Sequence, residues 1–211
     1  ITEVKETSEA PDPEDPPVVT ETKYYYDARG RLRGVDRKTG GVWAEEPNFT
    51  YVFTYDPNGN RVNHQQTGVT TRIGTYNAQD QLTSVLDTAS NVVTTYEYDN
   101  HGTLRSKQPG GGAKTEYTYD SRGNLTRVFI PGTPATTIEY TVDALGRRIK
   151  RRATTGTTVT TTGWIWDGPL RIVAETNGAG VVTKRFLYAE GVNSPETMVT
   201  DDDVYTFLKD H

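Results

Sequence analysis

Three histidines, a run of three aspartates, a triple glycine and three tryptophans are the residues of this 211-residue sequence whose types could do chemistry. His64, His101 and His211 have no partner at a metal-ligand or catalytic-triad spacing, and they read as surface residues. Asp201, Asp202 and Asp203 carry enough carboxylate oxygen to suggest calcium. They stand between Val199 and Val204, however, where a hairpin turn is due, and turns favour aspartate for local hydrogen bonding. Gly110, Gly111 and Gly112 lead into no helix, so they read as a hairpin tip rather than a phosphate cradle. Cysteine is absent, which excludes disulfides and thiolate metal sites. No cofactor, no metal site and no catalytic residue is expected. The stronger candidates are aromatic: Trp43, Trp164, Trp166 and the tyrosines could stack on sugar rings if they face solvent, or form the apolar face of a sheet. Trp43, outside any repeat register and followed by Glu45 and Glu46, is the candidate ligand-binding residue.

The elements that must hold these residues are visible in the composition. Hydrophobic residues make up only 33% of the chain, yet there are 13 Tyr and 20 Gly, a mixture suited to half-buried strands closed by turns. The charge is uneven: the first 22 residues hold seven acids against one base, which leaves the remainder at plus one out of a total of minus five. A near-neutral body with an acidic leader offers no footprint for nucleic acid. Arg147, Arg148, Lys150, Arg151 and Arg152 form the one basic cluster and read as a solvated hairpin arm. No apolar run approaches a membrane span, and the acidic, Pro-rich start does not resemble a signal peptide, so the chain is expected to begin inside a longer precursor.

Self-comparison of the chain brings out one unit: an aromatic, one residue, an aromatic, Asp, two residues and Gly. Its copies are Tyr24, Tyr26, Asp27 and Gly30; Phe53, Tyr55, Asp56 and Gly59; Tyr96, Tyr98, Asp99 and Gly102; and Tyr117, Tyr119, Asp120 and Gly123. Two are degenerate: Tyr76 is followed by Asn77 and Asp80, and Tyr140 by Val142, Asp143 and Gly146. The second aromatic slot falls at 26, 55, 76, 98, 119 and 142, giving spacings of 29, 21, 22, 21 and 23. Aromatics two apart share one face of a strand, and the residue between them faces the other way. The Asp accepts hydrogen bonds from amides further along the turn, and Gly supplies the left-handed conformation of a type I turn with a following bulge. About twenty-one residues make two strands and two turns, one hairpin per period.

These residues resemble the YD or RHS repeat, a family that includes bacterial RHS polymorphic toxins, wall-associated proteins, the encapsulating component of insecticidal toxin complexes and animal teneurins. The resemblance runs from Tyr24 to His211. Trp164, Trp166, Asp167 and Gly168, then Ile172 to Glu175, then Arg185 to Tyr188, are similar to the stretch that leads into the RHS-associated core, which the sequence enters and leaves in mid-motif at His211. The resemblance implies hairpins coiled into a β-shell around a C-terminal toxin or other cargo. It also implies an aspartate-dependent self-cleavage site at the end of the core, and no position here matches that site.

The expected fold is therefore all-β: an array of antiparallel hairpins in a twisted, curled sheet. The expected organisation is an acidic Pro-rich linker over 1–22, disordered or extended, a YD-repeat array over 23–152, and degenerate repeats over 153–211. The expected role is a structural shell section of a secreted or cell-surface protein of the bacterial envelope, partnered by the rest of its own chain and by its cargo. A carbohydrate- or cell-surface-binding module using exposed aromatics is the alternative. A fibre that self-associates through open sheet edges is a third reading.

Overall fold

A computed structural model describes residues 2–8, 18–40, 43, 48–189 and 194–207. Among them there are eighteen strands and no helix. The chain divides into two units, residues 1–97 with 108–112, and residues 98–107 with 113–211. The first holds β1 (Thr2–Ser8), β2 (Val18–Tyr26), β3 (Leu32–Thr39), β4 (Phe49–Tyr55), β5 (Arg61–Gln66), β6 (Thr70–Tyr76), β7 (Leu82–Asp87) and most of β8 (Val92–Tyr98). The second holds most of β9 (Leu104–Pro109), then β10 (Thr115–Tyr119), β11 (Leu125–Ile130), β12 (Thr136–Val142) and β13 (Arg148–Thr155). It continues with β14 (Thr158–Asp167), β15 (Arg171–Thr176), β16 (Val182–Leu187), β17 (Thr197–Val199) and β18 (Val204–Thr206). Within each unit every strand pairs antiparallel with the next in chain order.

Several strands show a clear two-residue alternation. In β4, β8 and β10 the aromatics Phe53, Tyr55, Tyr96, Tyr98, Tyr117 and Tyr119 are half-buried, while Thr54, Glu97 and Thr118 between them are exposed. This is the pattern of a strand with one packed face and one wet face. Packing stops short of a conventional core. Val35, Val128, Ala153 and Ala174 are the buried apolar side chains among the described residues, and no side chain there is below 2% exposure. Stability must therefore come from cross-strand neighbours and from turns rather than from a deep interior.

The span 1–22, read as disordered or extended, contains β1 and the start of β2, which pair from Thr2↔Tyr24 to Ser8↔Val18. The Pro-rich stretch 10–17 lies outside the described residues. Gly110 and Gly111 sit at a tip with φ of 55° and 72°, and the Gly112 amide donates to the Pro109 carbonyl.

Each Asp-x-x-Gly segment is a tight turn, and those at Asp27, Asp56, Asp120 and Asp143 have a bulge beside them. The Gly30, Gly59, Gly102, Gly123 and Gly146 amides donate to the carbonyls of Asp27, Asp56, Asp99, Asp120 and Asp143 at 3.0 to 3.1 Å. All five glycines have φ between 76° and 102°. The register then slips by one residue, as between Thr118 and Tyr119 in β10 and between Thr141 and Val142 in β12. At Gly123 no atom lies within 4 Å of the place a Cβ would occupy, so backbone conformation, not space, demands glycine there. Gly123→Val should cost about 1–3 kcal/mol and reduce amide protection across β10 and β11. Gly123→Asn should cost less, since Asp80 and Asn91 hold the same conformation with φ of 59° and 52°. Native-state hydrogen exchange that leaves the Val variant fully protected would remove the basis for this turn assignment.

Candidate functional site

The side chains that carry most specific contacts lie at the turns. Asp27 Oδ1 accepts the amides of Arg29 and Arg31, both at 2.9 Å, and Oδ2 accepts Arg31 Nε at 2.7 Å. The same carboxylate clamp is built at Asp56, where the amides of Gly59 and Asn60 and the Asn60 side chain donate, and at Asp120 and Asp143. At Asp99 the amides of His101 and Thr103 donate to Oδ1. Asn77 does the same with its amide oxygen, which accepts Gln79 and Gln81. The Asp and Gly of each turn were legible in the sequence, but the role of the residue that follows the Gly was not. Arg31, Asn60, Asn124 and Arg147 close the clamp from the side chain, and their recurrence at that offset was the available signal.

A seventh turn of this kind was not recognised in the sequence. Asn177 Oδ1 accepts the amides of Ala179 and Val181, and Gly180 has φ of 81°. It joins β15 to β16, whereas the Asp120 and Asp143 turns join β10 to β11 and β12 to β13. In an antiparallel meander successive turns alternate between the two edges, so the Asn177 turn lies on the opposite edge of its unit. No aromatic pair precedes it, which is why the aromatic ruler passed over it.

Polar tips of four second aromatics tie their hairpins to the one before. Tyr55 Oη donates to the Leu32 carbonyl at 2.6 Å and Tyr76 Oη to the Arg61 carbonyl at 2.9 Å. In the second unit Trp166 Nε1 donates to the Arg148 carbonyl and Tyr188 Oη to the Ile172 carbonyl, each at 2.9 Å. Guanidinium groups cover several of these rings: Arg31 lies 4.5 Å from the Tyr55 centroid, Arg147 5.6 Å from Trp166 and Arg171 5.5 Å from Tyr188. Neighbouring turns are also bonded directly. Arg29 reaches the Pro57 carbonyl, Asn58 and Asn60 reach Asp80, Arg122 reaches the Ala144 carbonyl, and Arg147 reaches the Gly168 carbonyl.

Trp43 and Trp164 are held in matching arrangements. Trp43 Nε1 donates to Glu21 at 3.0 Å, and Glu21 pairs with Lys38 at 2.9 Å across the β2–β3 ladder. Trp164 Nε1 donates to Glu175 at 3.2 Å, and Glu175 pairs with Lys184 at 2.8 Å. The Trp43 ring is half-buried and carries the ammonium groups of Lys23 and Lys38 at 4.1 and 4.9 Å from its centroid. A sugar stacking on that ring would have to displace them. Of the remaining predicted residues, Tyr24 is half-buried opposite Val35, and Tyr26, just before the Asp27 turn, is 45% exposed. Among the described residues no three acids or histidines converge where they could hold a metal ion.

The family model described as the teneurin YD-shell matches residues 18–161. This chain belongs to the YD-shell family. The tRNA3(Ser)-specific nuclease WapA of Bacillus spizizenii is 28% identical over 169 residues, covering 76% of this chain and 6% of that protein. The crystal structure of TcdB2-TccC3-TEV superposes with a TM-score of 0.53 at 14% identity, covering 86% of this chain and 12% of that one, and it shares the all-β fold. The structure of TcdB2-TccC3-Cdc42 reaches a TM-score of 0.48 at 15% identity over 92% of this chain and 13% of that one. This YD-shell chain thus spans only a small part of the relatives it matches.

Titration of the turn groups ties stability to pH. The Asn60 side chain lowers Asp56, the Asn124 side chain lowers Asp120, and the Arg31 and Thr103 amides lower Asp27 and Asp99, all below the ordinary 3.8. At Asp143 the upward pull of burial is outweighed by the Arg147 amide and guanidinium. A depressed carboxylate contributes stability above its ordinary value and loses it as pH falls through the folded value. His64, stacked on Phe53 at 5.0 Å, lies below the ordinary 6.5 because burial, then the charges of Arg61 and Arg72, disfavour its cation. Its contribution is present above that value and lost below it. Thermal midpoints should therefore fall gently between about pH 7.5 and pH 5.5, a step removed by His64→Phe, and steeply below about pH 4. A midpoint that does not move between about pH 7.5 and pH 5.5 would exclude the His64 effect. Tyr55→Phe, which deletes one inter-hairpin tie, should cost about 0.5–1.5 kcal/mol in denaturant melts.

Proposed function

We propose that this chain is a wall section of a β-shell in a longer secreted or cell-surface polypeptide, and that the shell encloses or presents a C-terminal toxin or other cargo. The observation that carries this reading is a set of hairpins paired in chain order within each unit, with hardly any buried apolar side chain among the described residues. Globular domains of this length bury many large side chains; a wall stabilised between neighbouring strands does not need to. Membership of the YD-shell family supports the same role. In this reading Asp27, Asp56, Asp99, Asp120 and Asp143, with their glycines, are architectural. The aromatics Tyr24, Tyr26, Phe53, Tyr55, Tyr96, Tyr98, Tyr117, Tyr119, Trp164 and Trp166 serve packing and inter-hairpin bonding. The wall contributes no catalytic group, and any enzymatic activity of the parent resides in another part of it.

Solution scattering combined with light scattering on the 211-residue chain tests the proposal. A thin monomer of 23.4 kDa whose radius of gyration well exceeds the roughly 17 Å of a compact globule of this length is expected. A radius near that globular value would overturn the wall. A defined oligomer or filament would instead assign the function to self-assembly through open strand edges.

A further inference from the structure

Asparagine stands directly before glycine twice in the chain, at Asn58 and Gly59 and at Asn177 and Gly178. Such a pair can react with itself: the glycine amide nitrogen can attack the asparagine side-chain carbon, because glycine has no Cβ to hinder the approach. Both pairs are exposed and both stand in turns, yet the turns use them differently. In the first turn Asp56 is the capping acceptor and Asn58 lies inside the turn, whereas in the second the asparagine is itself the cap.

Nucleophile and leaving group are both tied at the first pair. The Gly59 amide donates to the Asp56 carbonyl at 3.1 Å and to Asp56 Oδ1 at 2.8 Å, and Asn58 Nδ2 donates to Asp80 at 2.8 Å. At the second pair the Gly178 amide and Asn177 Nδ2 have no hydrogen-bond partner among the described residues. Asn177 Oδ1, by contrast, accepts the Ala179 and Val181 amides at 3.0 and 3.1 Å. Those two donors polarise the side-chain carbonyl and are placed to hold the negative charge that forms on Oδ1 during attack. Asn77 marks what the Asn177 turn lacks. Its Oδ1 is capped in the same way, but its Nδ2 donates to Gln81 Oε1 at 2.7 Å and the next residue is Ala78. The residue at the place of Gln81 is Val181, whose side chain accepts nothing.

We propose that Asn177 and Gly178 form a self-modifying site, while the same pair at 58 and 59 is held unreactive by its turn. The Gly178 amide loses its proton to solvent and its nitrogen bonds to Asn177 Cγ, moving an electron pair onto Oδ1. Collapse of that adduct, with a proton from solvent, expels the side-chain nitrogen as ammonia and leaves a cyclic imide. Water then opens the ring. Attack at Cγ gives aspartate, the cap already used at Asp27, Asp56, Asp99, Asp120 and Asp143. Attack at the main-chain carbonyl gives isoaspartate, which adds a methylene to the main chain and displaces the capping oxygen. The site lies within one unit and does not rest on the shell reading.

The test is peptide mapping by mass spectrometry of the full 211-residue chain incubated at neutral pH and body temperature, with fragmentation that separates aspartate from isoaspartate. Asn177 should convert about tenfold faster than Asn58, or more, which is what freeing two hydrogen-bonded groups supports. In concentrated guanidinium chloride, where the turns are gone, the two pairs should convert at similar rates. Val181→Gln, at an exposed position, should supply the acceptor that Gln81 gives Asn77 and slow Asn177 about 3–10-fold without changing Asn58. Asn177→Asp should keep the melting midpoint of the parent, since it reproduces the aspartate product. Equal rates in the folded chain, a preference for Asn177 that persists undiminished in denaturant, or a Val181→Gln chain that converts as fast as the parent would each overturn the proposal.

Discussion

A side-chain oxygen that accepts two backbone amides across a five-residue turn is the interaction on which the rest of this structure depends. It satisfies donors that the reversing chain would otherwise leave without partners, and it does so without a packed interior. Because the acceptor is short and its partners lie two and four residues on, Asp and Asn serve equally, as Asp27 and Asn77 show. The glycine three positions after the acceptor is the other half of the constraint. It turns the chain into the bulge that sets the register of the following strand.

Register, once set at the turn, decides what the strands can offer one another. At Tyr55, Tyr76 and Trp166 the bulge sits beside a second aromatic whose hydroxyl or indole N–H reaches a carbonyl of the preceding hairpin, so a residue that packs as an apolar group also bonds as a polar one. Side chains after the turn glycine extend the same logic outward, from their own carboxylate to the next turn. A sheet built in this way is stabilised by contacts between nearest neighbours. That is consistent with four buried apolar residues among the described ones, none of them larger than valine.

The cross-strand sets Trp43, Glu21 and Lys38 and Trp164, Glu175 and Lys184 show how a small polar group can fix a large ring on an open sheet. In each, the indole N–H meets a carboxylate whose charge is balanced one strand away. For Trp43 the consequence is a ring whose face is occupied by ammonium groups rather than open to solvent.

The all-β class, the hairpin period and the aromatic and aspartate positions were legible in the sequence because they depend on local chemistry: alternation along a strand, amide capping within five residues and glycine at positive φ. Membership of the YD-shell family was legible for the same reason, since its signature is a local motif repeated. The Asn177 turn was not, because its cap has no aromatic pair before it and lies on the other edge. Nor could the partners of Trp43 be read, since Glu21 and Lys38 are distant in sequence and are brought together by the pairing of β2 with β3. The sequence by itself determined the hairpins, whose energetics are contained within some twenty residues. Which rings are tied and which are covered was decided by tertiary structure, because each depends on a side chain from one strand or hairpin reaching another.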